Sequence, residues 1–148
     1  MTWKKDDLLC FHLGVAMRKI SRIYTEGLAS YDVTPAQLFM LSCLHSCDGQ
    51  KPSELADQVH LDASSMTGLL DRTEKAKLIR RMRDPADRRA LRIYLTDLGL
   101  TTIEELKPVI AQLQERVRHT FFEGYSDEQI ASFMEILRNA GQSSDRPL

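Results

Sequence analysis

The most chemically distinctive stretch of the chain is a cluster of cationic side chains between residues 72 and 92. It holds nine basic and three acidic side chains, a net charge of +6 in a chain whose total is −1. A positive stripe on an acidic body is typical of a surface that binds a polyanion, although a solvated charged face has the same composition. The basic members are Arg72, Lys75, Lys77, Arg80, Arg81, Arg83, Arg88, Arg89 and Arg92.

The thiols are the other reactive groups. The three cysteines, an odd number, do not build the disulfide framework of a secreted domain. Cys43, His45 and Cys47 bring metal-ligand atoms onto one helical segment, but no second cluster completes a zinc site. We therefore expect no metal and no cofactor, and we interpret these thiols as small buried groups.

Several classes of protein are excluded by what the sequence lacks. It contains no Gly-x-Ser-x-Gly, Walker or His-Glu-x-x-His motif, and its seven glycines do not cluster, so we expect no catalytic residues and no enzyme. No apolar run reaches the ~18 residues of a membrane span, and the first seven residues lack the features of a signal peptide. We expect a cytoplasmic protein with no membrane partner.

Periodicity and capping signals predict a mainly α-helical fold with a small β-hairpin, in the order α-α-α-α-β-β-α-α. The first helix has two apolar stripes and is therefore expected to lie between partners. Thr34, Asp62, Thr96 and Ser126 are predicted to cap later helices, Pro108 to kink the fifth, and Gly141 to follow the last. The predicted helices cover residues 7–29, 35–46, 52–59, 63–76, 97–119 and 127–139, and the predicted strands cover 79–83 and 91–95.

Residues 52–76 have the pattern of a helix-turn-helix. The second helix has an apolar stripe for the core and an opposite face of small polar and basic groups. Such a helix fits the major groove of DNA, where short hydroxyls meet base edges, a glycine permits close approach, and a guanidinium binds phosphate or guanine. An ordinary solvated helix face is the alternative. The candidate DNA contacts on this helix are Ser64, Ser65, Thr67, Gly68, Arg72 and Lys75.

The predicted hairpin has two arginines, Arg88 and Arg89, at its tip beside Asp87. A guanidinium on a thin hairpin can enter the minor groove, where negative potential is concentrated. We expect Asp87 to pair with a nearby arginine and to fix its direction. The alternative is a surface cluster of Asp and Arg that has no partner.

The hairpin also carries a family likeness. Asp84-Pro85-Ala86-Asp87-Arg88-Arg89, followed by residues 91–95 and Thr96-Asp97-Leu98-Gly99, resembles the wing signature of the MarR family, the multiple-antibiotic-resistance regulators. Residues 55–79 resemble that family's helix-turn-helix. The resemblance implies a winged helix-turn-helix that is an obligate dimer through its terminal helices. Residues 1–33 and 97–148 would then form the dimerisation region, and residues 34–96 the DNA-binding region.

The resemblance also implies a function. It indicates a homodimeric regulator, usually a repressor, that binds a pseudo-palindromic operator in double-stranded DNA, with Arg89 in the minor groove. Release would follow binding of a small phenolic or anionic effector, or oxidation of a cysteine. The residues leave open a winged-helix module that binds proteins without specific DNA binding. Lys77 stands where the family usually has glycine, so we expect that this helix does not end in a left-handed cap.

Cys10 and Tyr24 form a candidate redox sensor. Leu9-Cys10-Phe11 resembles the organic hydroperoxide resistance branch of the family, in which such a cysteine is oxidised and nearby tyrosines bond to it. Tyr24 matches one of these tyrosines, whereas Gly14 replaces another. A thiol in the first turns of a helix lies near its positive dipole end, which favours thiolate. The alternatives are a thiol that only fills space and a small-molecule effector.

Overall fold

The computed structural model describes residues 4–87 and 89–142, and of Gln142 only the backbone. Within these residues the predicted order of helices and strands is confirmed. Among them no helix combines the length and apolar character needed to cross a bilayer. The elements are α1 (Leu9–Leu28), α2 (Pro35–Ser46), α3 (Pro52–Val59), α4 (Ala63–Lys75), β1 (Ile79–Arg83), β2 (Leu91–Leu95), α5 (Asp97–Phe122) and α6 (Asp127–Gln142), with short 3-10 helices at Lys5–Asp7 and Ala29–Tyr31.

The chain divides into two compact units, Met1–Leu113 and Gln114–Leu148. The first unit contains the elements from α1 to β2 and the first part of α5. The second contains the end of α5 and α6, where the rings of Phe122 and Phe133 meet edge to face with centroids 5.7 Å apart.

The predicted caps are confirmed. Thr34 and Gln37 form a capping box, in which Gln37 N donates to Thr34 Oγ1 at 3.3 Å and Thr34 N donates to Gln37 Oε1 at 2.9 Å. Ser65 N donates to Asp62 Oδ1 at 2.8 Å at the start of α4. These bonds occupy backbone N–H groups that have no partner inside the helix, which explains why α2 and α4 begin where they do.

The core of the first unit is formed by the inner faces of α2, α3 and α4 together with the hairpin, and buried side chains of α1 and α5, such as Leu28 and Leu106, add to it. β1 and β2 are antiparallel with Ile79 opposite Leu95 and Arg83 opposite Leu91. A bridge between Gln50 and Ile93 adds a short third edge that the sequence did not predict. The buried apolar side chains of α2, α3, α4, β1 and β2 are Leu38, Met40, Leu41, Leu44, Leu55, Ala56, Met66, Leu69, Leu70, Ile79 and Ile93.

The end of α4 differs from the prediction. Leu78 N donates to the carbonyl oxygen of Thr73 at 3.2 Å, and Lys77 N donates to that of Glu74 at 2.8 Å. This pair of bonds is a Schellman cap, and Lys77 lies at φ +61° in its left-handed position. The expectation that α4 avoids a left-handed cap is therefore wrong. The cap bonds hold Lys77 in a conformation that costs an L-residue roughly 1–2 kcal/mol.

Two further expectations need correction. The last helix runs on to Gln142, so Gly141 is helical instead of following the helix. Cys10 and Cys47 are exposed and Cys43 is only half-buried, so the thiols are not core groups. The first half of α1 is exposed in the single chain, with an exposed fraction of 73% for Leu9 and 62% for Met17, and the expectation that this helix lies between partners stays a prediction. The helix α5 contains Pro108 within its continuous span, and the kink at this residue stays a prediction.

Candidate nucleic-acid interface

The N-terminal turn of α4 exposes three hydroxyl side chains, Ser64, Ser65 and Thr67. Two of them already donate within the chain: Ser65 Oγ to Asp62 Oδ2 at 2.7 Å, and Thr67 Oγ1 to the carbonyl oxygen of Ala63 at 2.8 Å. Their remaining capacity in this conformation is as hydrogen-bond acceptors. They are therefore suited to meet donor groups, such as the amino groups that adenine and cytosine present in the major groove.

A carboxylate lies at the same end of α4. The backbone N–H of Ser65, followed by its hydroxyl, holds the pKa of Asp62 below its ordinary value. Asp62 is therefore ionised at neutral pH. Its negative charge disfavours a phosphate at this helix N-terminus and leaves phosphate binding to the basic groups farther along α4.

The next turns of α4 carry those basic groups. Arg72 and Lys75 are exposed, and a β-carbon added to Gly68 would lie 3.3 Å from Arg72 Nη1. The guanidinium of Arg72 therefore lies back along the helix over Gly68. The absence of a side chain at position 68 leaves the room that this orientation requires.

Arg81 belongs to the scaffold. Its Nη1 donates to Glu74 Oε2 at 2.8 Å and its Nη2 to Asp71 Oδ1 at 2.6 Å, while its backbone N donates to Glu74 Oε1 at 3.1 Å. These bonds join β1 to the outer face of α4. Composition alone counted Arg81 among the cationic cluster, but both of its charge partners are supplied by α4.

Arg92 is likewise held inside the wing, which is the hairpin of β1, β2 and the turn between them. Its Nε donates to Asp84 Oδ2 at 2.6 Å. Asp84 is 5% exposed. Its pKa is held below the ordinary value by the backbone N–H of Ala86 and then by Arg92. Asp84 is thus a wing carboxylate that pairs with an arginine side chain, and this contact was not predicted from the sequence.

Asp87 makes hydrogen bonds to the backbone of the turn at the hairpin tip. Among the described residues its side chain accepts from the backbone N–H of Arg89 at 3.0 Å, and its carbonyl oxygen accepts from Ala90 N at 2.9 Å. The predicted pairing with an arginine side chain is not found in this part of the chain. Asp87 instead closes the turn through backbone bonds, as aspartates commonly do in turns. Arg88 lies outside the described residues.

The exposed cations therefore form two groups in the first unit. One follows the outer face and end of α4, and the other follows the hairpin to its tip. The exposed basic side chains among the described residues of this segment are Arg72, Lys75, Lys77, Arg80, Arg83 and Arg89.

The candidate sensor residues do not meet within one chain. Cys10 is exposed in the first turn of α1, whereas Tyr24 is half-buried near the other end, and burial raises the pKa of its phenol. Fourteen residues of α-helix separate them, which is about 21 Å along the axis at 1.5 Å per residue. A bond between these two side chains would need two copies of the chain.

The winged-helix fold has counterparts among known proteins. Residues 33–91 match the MarR family. YsmB of Bacillus subtilis (strain 168), an uncharacterized HTH-type transcriptional regulator, is 36% identical over 126 residues, which cover 85% of this chain and 82% of YsmB.

Two solved structures show the same fold. BpsR of Bordetella bronchiseptica, described with the regulation of its DNA binding by 6-hydroxynicotinic acid, superposes with a TM-score of 0.88 at 21% identity, covering 97% of this chain and all of that one. The repressor CouR of Rhodococcus jostii RHA1, bound to a 23-mer DNA duplex, gives 0.82 at 23% identity, covering 96% of this chain and all of CouR. The chain therefore belongs to the MarR family of winged-helix transcriptional regulators, which are not enzymes.

Proposed function

We propose that this protein is a sequence-specific repressor that binds double-stranded DNA as a homodimer. The observation that supports the proposal is that some of its cations are paired with carboxylates, whereas others are exposed. Arg81 and Arg92 are held by carboxylates and build the scaffold, while Arg72, Lys75 and Arg89 remain exposed. CouR, which has this fold, is a repressor that binds a DNA duplex.

We assign the DNA contacts to the predicted residues of α4 and of the hairpin tip. The first turns of α4 would enter the major groove, where Ser64, Ser65 and Thr67 read base edges and Gly68 permits close approach. Arg72 and Lys75 would bind the phosphates that flank the groove. At the wing tip, Arg88 and Arg89 would reach the adjacent minor groove.

The proposed dimer rests on apolar side chains that a single chain leaves in solvent. Large exposed apolar surfaces on soluble proteins usually mark interfaces, and each of the helices α1 and α6 exposes several apolar side chains. We assign residues 1–33 and 97–148 to the dimerisation region and residues 34–96 to DNA binding. Two-fold symmetry then predicts a pseudo-palindromic operator with half-sites about one helical turn apart. The exposed apolar side chains of α1 and α6 are Leu9, Phe11, Leu13, Met17, Phe133, Met134, Ile136 and Leu137.

Cysteine oxidation is one candidate signal. Cys10 is exposed and has exposed apolar neighbours, Leu9 and Phe11. Oxidation to sulfenic acid or a mixed disulfide would put a polar group on a face that we assign to the dimer. Since Tyr24 of the same chain is about 21 Å away along the helix, a stabilising phenol would come from the second copy.

A small-molecule effector is the other candidate signal. BpsR is described with an aromatic acid that regulates its DNA binding. A surface cleft of ≈ 540 Å³ lies between the starts of α3 and α4, and its lining includes Met66 but also Asp57 and Asp62. Because two carboxylates repel an anion, this cleft is a poor site for an anionic effector. Such a ligand would bind elsewhere, between the DNA-binding and dimerisation regions.

Salt dependence of DNA binding tests the proposal against a protein-binding role. We expect the logarithm of the affinity for the DNA upstream of the protein's own gene to fall linearly with the logarithm of the salt concentration. The slope should steepen by about 0.9 for each phosphate neutralised. Lys75→Ala should reduce this slope by about one phosphate. Lys107→Ala is the matched control, since Lys107 is an exposed lysine of α5 that pairs with Glu104. A module that binds only proteins would show no affinity for the duplex at low salt.

A further inference from the structure

Residues 48–50, just before Lys51 and α3, form hydrogen bonds along the outer edge of the strand β2. Leu95 N donates to Asp48 Oδ1 at 2.9 Å, and Ile93 N donates to the carbonyl oxygen of Gln50 at 2.8 Å. The wing is therefore attached to the helix-turn-helix through this 48–50 segment as well as through the ends of its own strands.

The 48–50 segment is itself fixed to the helices. Gln50 is 6% exposed, and its Nε2 donates to the carbonyl oxygens of Cys43 at 3.1 Å and Cys47 at 2.8 Å at the end of α2. Its Oε1 accepts from Gln58 of α3. A buried amide keeps its hydrogen bonds because losing them leaves polar atoms without water. The segment is thus a fixed point between α2, α3 and the wing.

Arg92 extends this attachment to the wing tip. Its Nη1 donates to the carbonyl oxygen of Gly49 at 2.8 Å, and its Nε donates to Asp84 Oδ2 at 2.6 Å. Asp84 in turn accepts from Ala86 N at 2.8 Å, and its own backbone N donates to the carbonyl oxygen of Ala90 at 3.0 Å. The guanidinium of Arg92 therefore joins the 48–50 segment to the base of the turn that carries Arg89.

We propose that Arg92, through Asp84, is the positioning residue that aims the wing-tip Arg89 at the minor groove. An isolated two-stranded hairpin is only marginally stable and free to twist, so the direction of its tip must be set by contacts beyond its own ladder. Charge-assisted hydrogen bonds are stronger than neutral ones, and the bond from Arg92 to the buried Asp84 is of this kind. The inference rests on the proposed DNA-binding function and adds to it a residue that acts without touching DNA.

Two substitutions separate positioning from simple electrostatics. Asp84→Asn raises the positive charge of the wing, whereas Arg92→Met lowers it. General electrostatic attraction predicts tighter DNA binding for the first and weaker binding for the second. Positioning predicts that both weaken binding, by roughly tenfold, comparable to the loss of one arginine contact in such an interface. Arg92→Lys keeps the charge but not the forked geometry and should lie between Arg92→Met and the parent.

Coupling to Arg89 gives the second readout. If Arg92 acts through Arg89, Arg89→Ala and Asp84→Asn should each weaken binding of the same operator, and the double variant should bind no more weakly than Arg89→Ala alone. In the DNA-free protein, the backbone amide of Arg89 should show a lower NMR order parameter in Asp84→Asn than in the parent. This second measurement needs no DNA, and a circular dichroism melt selects the temperature at which both proteins are folded.

The outcomes are distinguishable. Unchanged or tighter binding by Asp84→Asn, or independent effects in the double variant, would overturn the positioning role. An unchanged order parameter at Arg89 in Asp84→Asn would also overturn the positioning role. This result would count even if the variant were too unstable for binding assays. If the parent itself binds no duplex, the proposed function fails, while the order parameter still tests whether Arg92 and Asp84 hold the wing tip in place.

Discussion

The backbone carbonyl of Leu78 lies against the Cα of Gly99, at the place where any other residue would have its β-carbon. The carbonyl carbon is 2.9 Å from that position and the oxygen is closer still. This contact joins the turn after α4 to the first turn of α5. Gly99→Ala must push the two apart, and we expect it to lower the free energy of unfolding by about 1–3 kcal/mol. Urea denaturation measures the difference.

Gly141→Ala provides the control for that experiment. Gly141 is helical, and a β-carbon there would have no atom within 4 Å among the described residues, apart from its chain neighbours and the backbone of its own helix. Alanine favours helix over glycine by up to about 1 kcal/mol, so this variant should be as stable as the parent or slightly more so. If Gly99→Ala were equally well tolerated, the close approach between α5 and the turn after α4 would be wrong.

Lys77→Gly should stabilise the protein. Lys77 holds a left-handed conformation that glycine adopts without strain, so the substitution should raise the free energy of unfolding by about 1 kcal/mol. Lys75→Gly removes the same charge two residues earlier, within α4, and should be destabilising. Thermal and urea denaturation of the pair measure the difference. Two variants that change stability in the same direction would contradict the cap geometry at Lys77.

The local chemistry of the sequence predicted the helix starts but not every helix end. Thr34, Asp62 and Ser126 predict the starts of their helices because each cap depends only on a residue three positions away. The left-handed Lys77 was missed because it depends on the bonds made by its neighbours. The end of α6 beyond Gly141 was missed because glycine is only a statistical stop signal.

The wing shows a second limit of sequence reasoning. Asp84 and Asp87 are the same type of residue, and both lie near arginines in the sequence. Only the pairing of β1 with β2, together with the distant carbonyl of Gly49, places Arg92 beside Asp84. The two apolar stripes of α1 were visible in the sequence, yet a single chain leaves Leu9 exposed. What covers that face depends on a partner.

Stability should decline in acid, and part of that decline should disappear in Asp62→Asn. The pKa of Asp62 is lowered in the folded protein, mainly by the backbone N–H of Ser65. The folded state therefore binds fewer protons than the unfolded state near the ordinary carboxyl pKa of ~3.9. The stabilisation is complete above that pH and is lost as the pH falls through the lowered folded value.

Asparagine remains a good helix cap but cannot titrate. The stability difference between the parent and Asp62→Asn should therefore shrink as the pH is lowered from 7 to below about 4. Urea denaturation at a series of pH values measures it. A difference that is independent of pH would contradict the ionised cap.

Ser65→Ala should change which bases are preferred more than it changes overall affinity. The hydroxyl proton of Ser65 is donated to Asp62, so its lone pairs face outward as acceptors. Losing them should relax selection at one base pair, with a cost of about 1–3 kcal/mol for the preferred base. Binding to a set of operators with single substitutions measures this. An equal loss for every sequence would contradict the placement of this side chain in the major groove.

Cys10→Ser should keep DNA binding but lose release by an organic hydroperoxide. Serine preserves size and polarity near Leu9 and Phe11 but cannot form a sulfenic acid. Cys47→Ser is the matched control, since Cys47 is also exposed, and it should still release DNA after oxidation. Release of Cys10→Ser at the dose that releases the parent would exclude Cys10 as the sensor and leave the effector as the signal.

In the proposed complex, two copies of the chain place α4 in the major groove and Arg89 in the adjacent minor groove. Hydroxyl-radical footprinting on the chain's own upstream DNA, at low salt, tests it most directly. We predict two protected half-sites about one helical turn apart, flanked by minor-groove protection that disappears in Arg89→Ala while the central protection remains. No protection, or a single unpaired site unchanged by Arg89→Ala, would contradict the account.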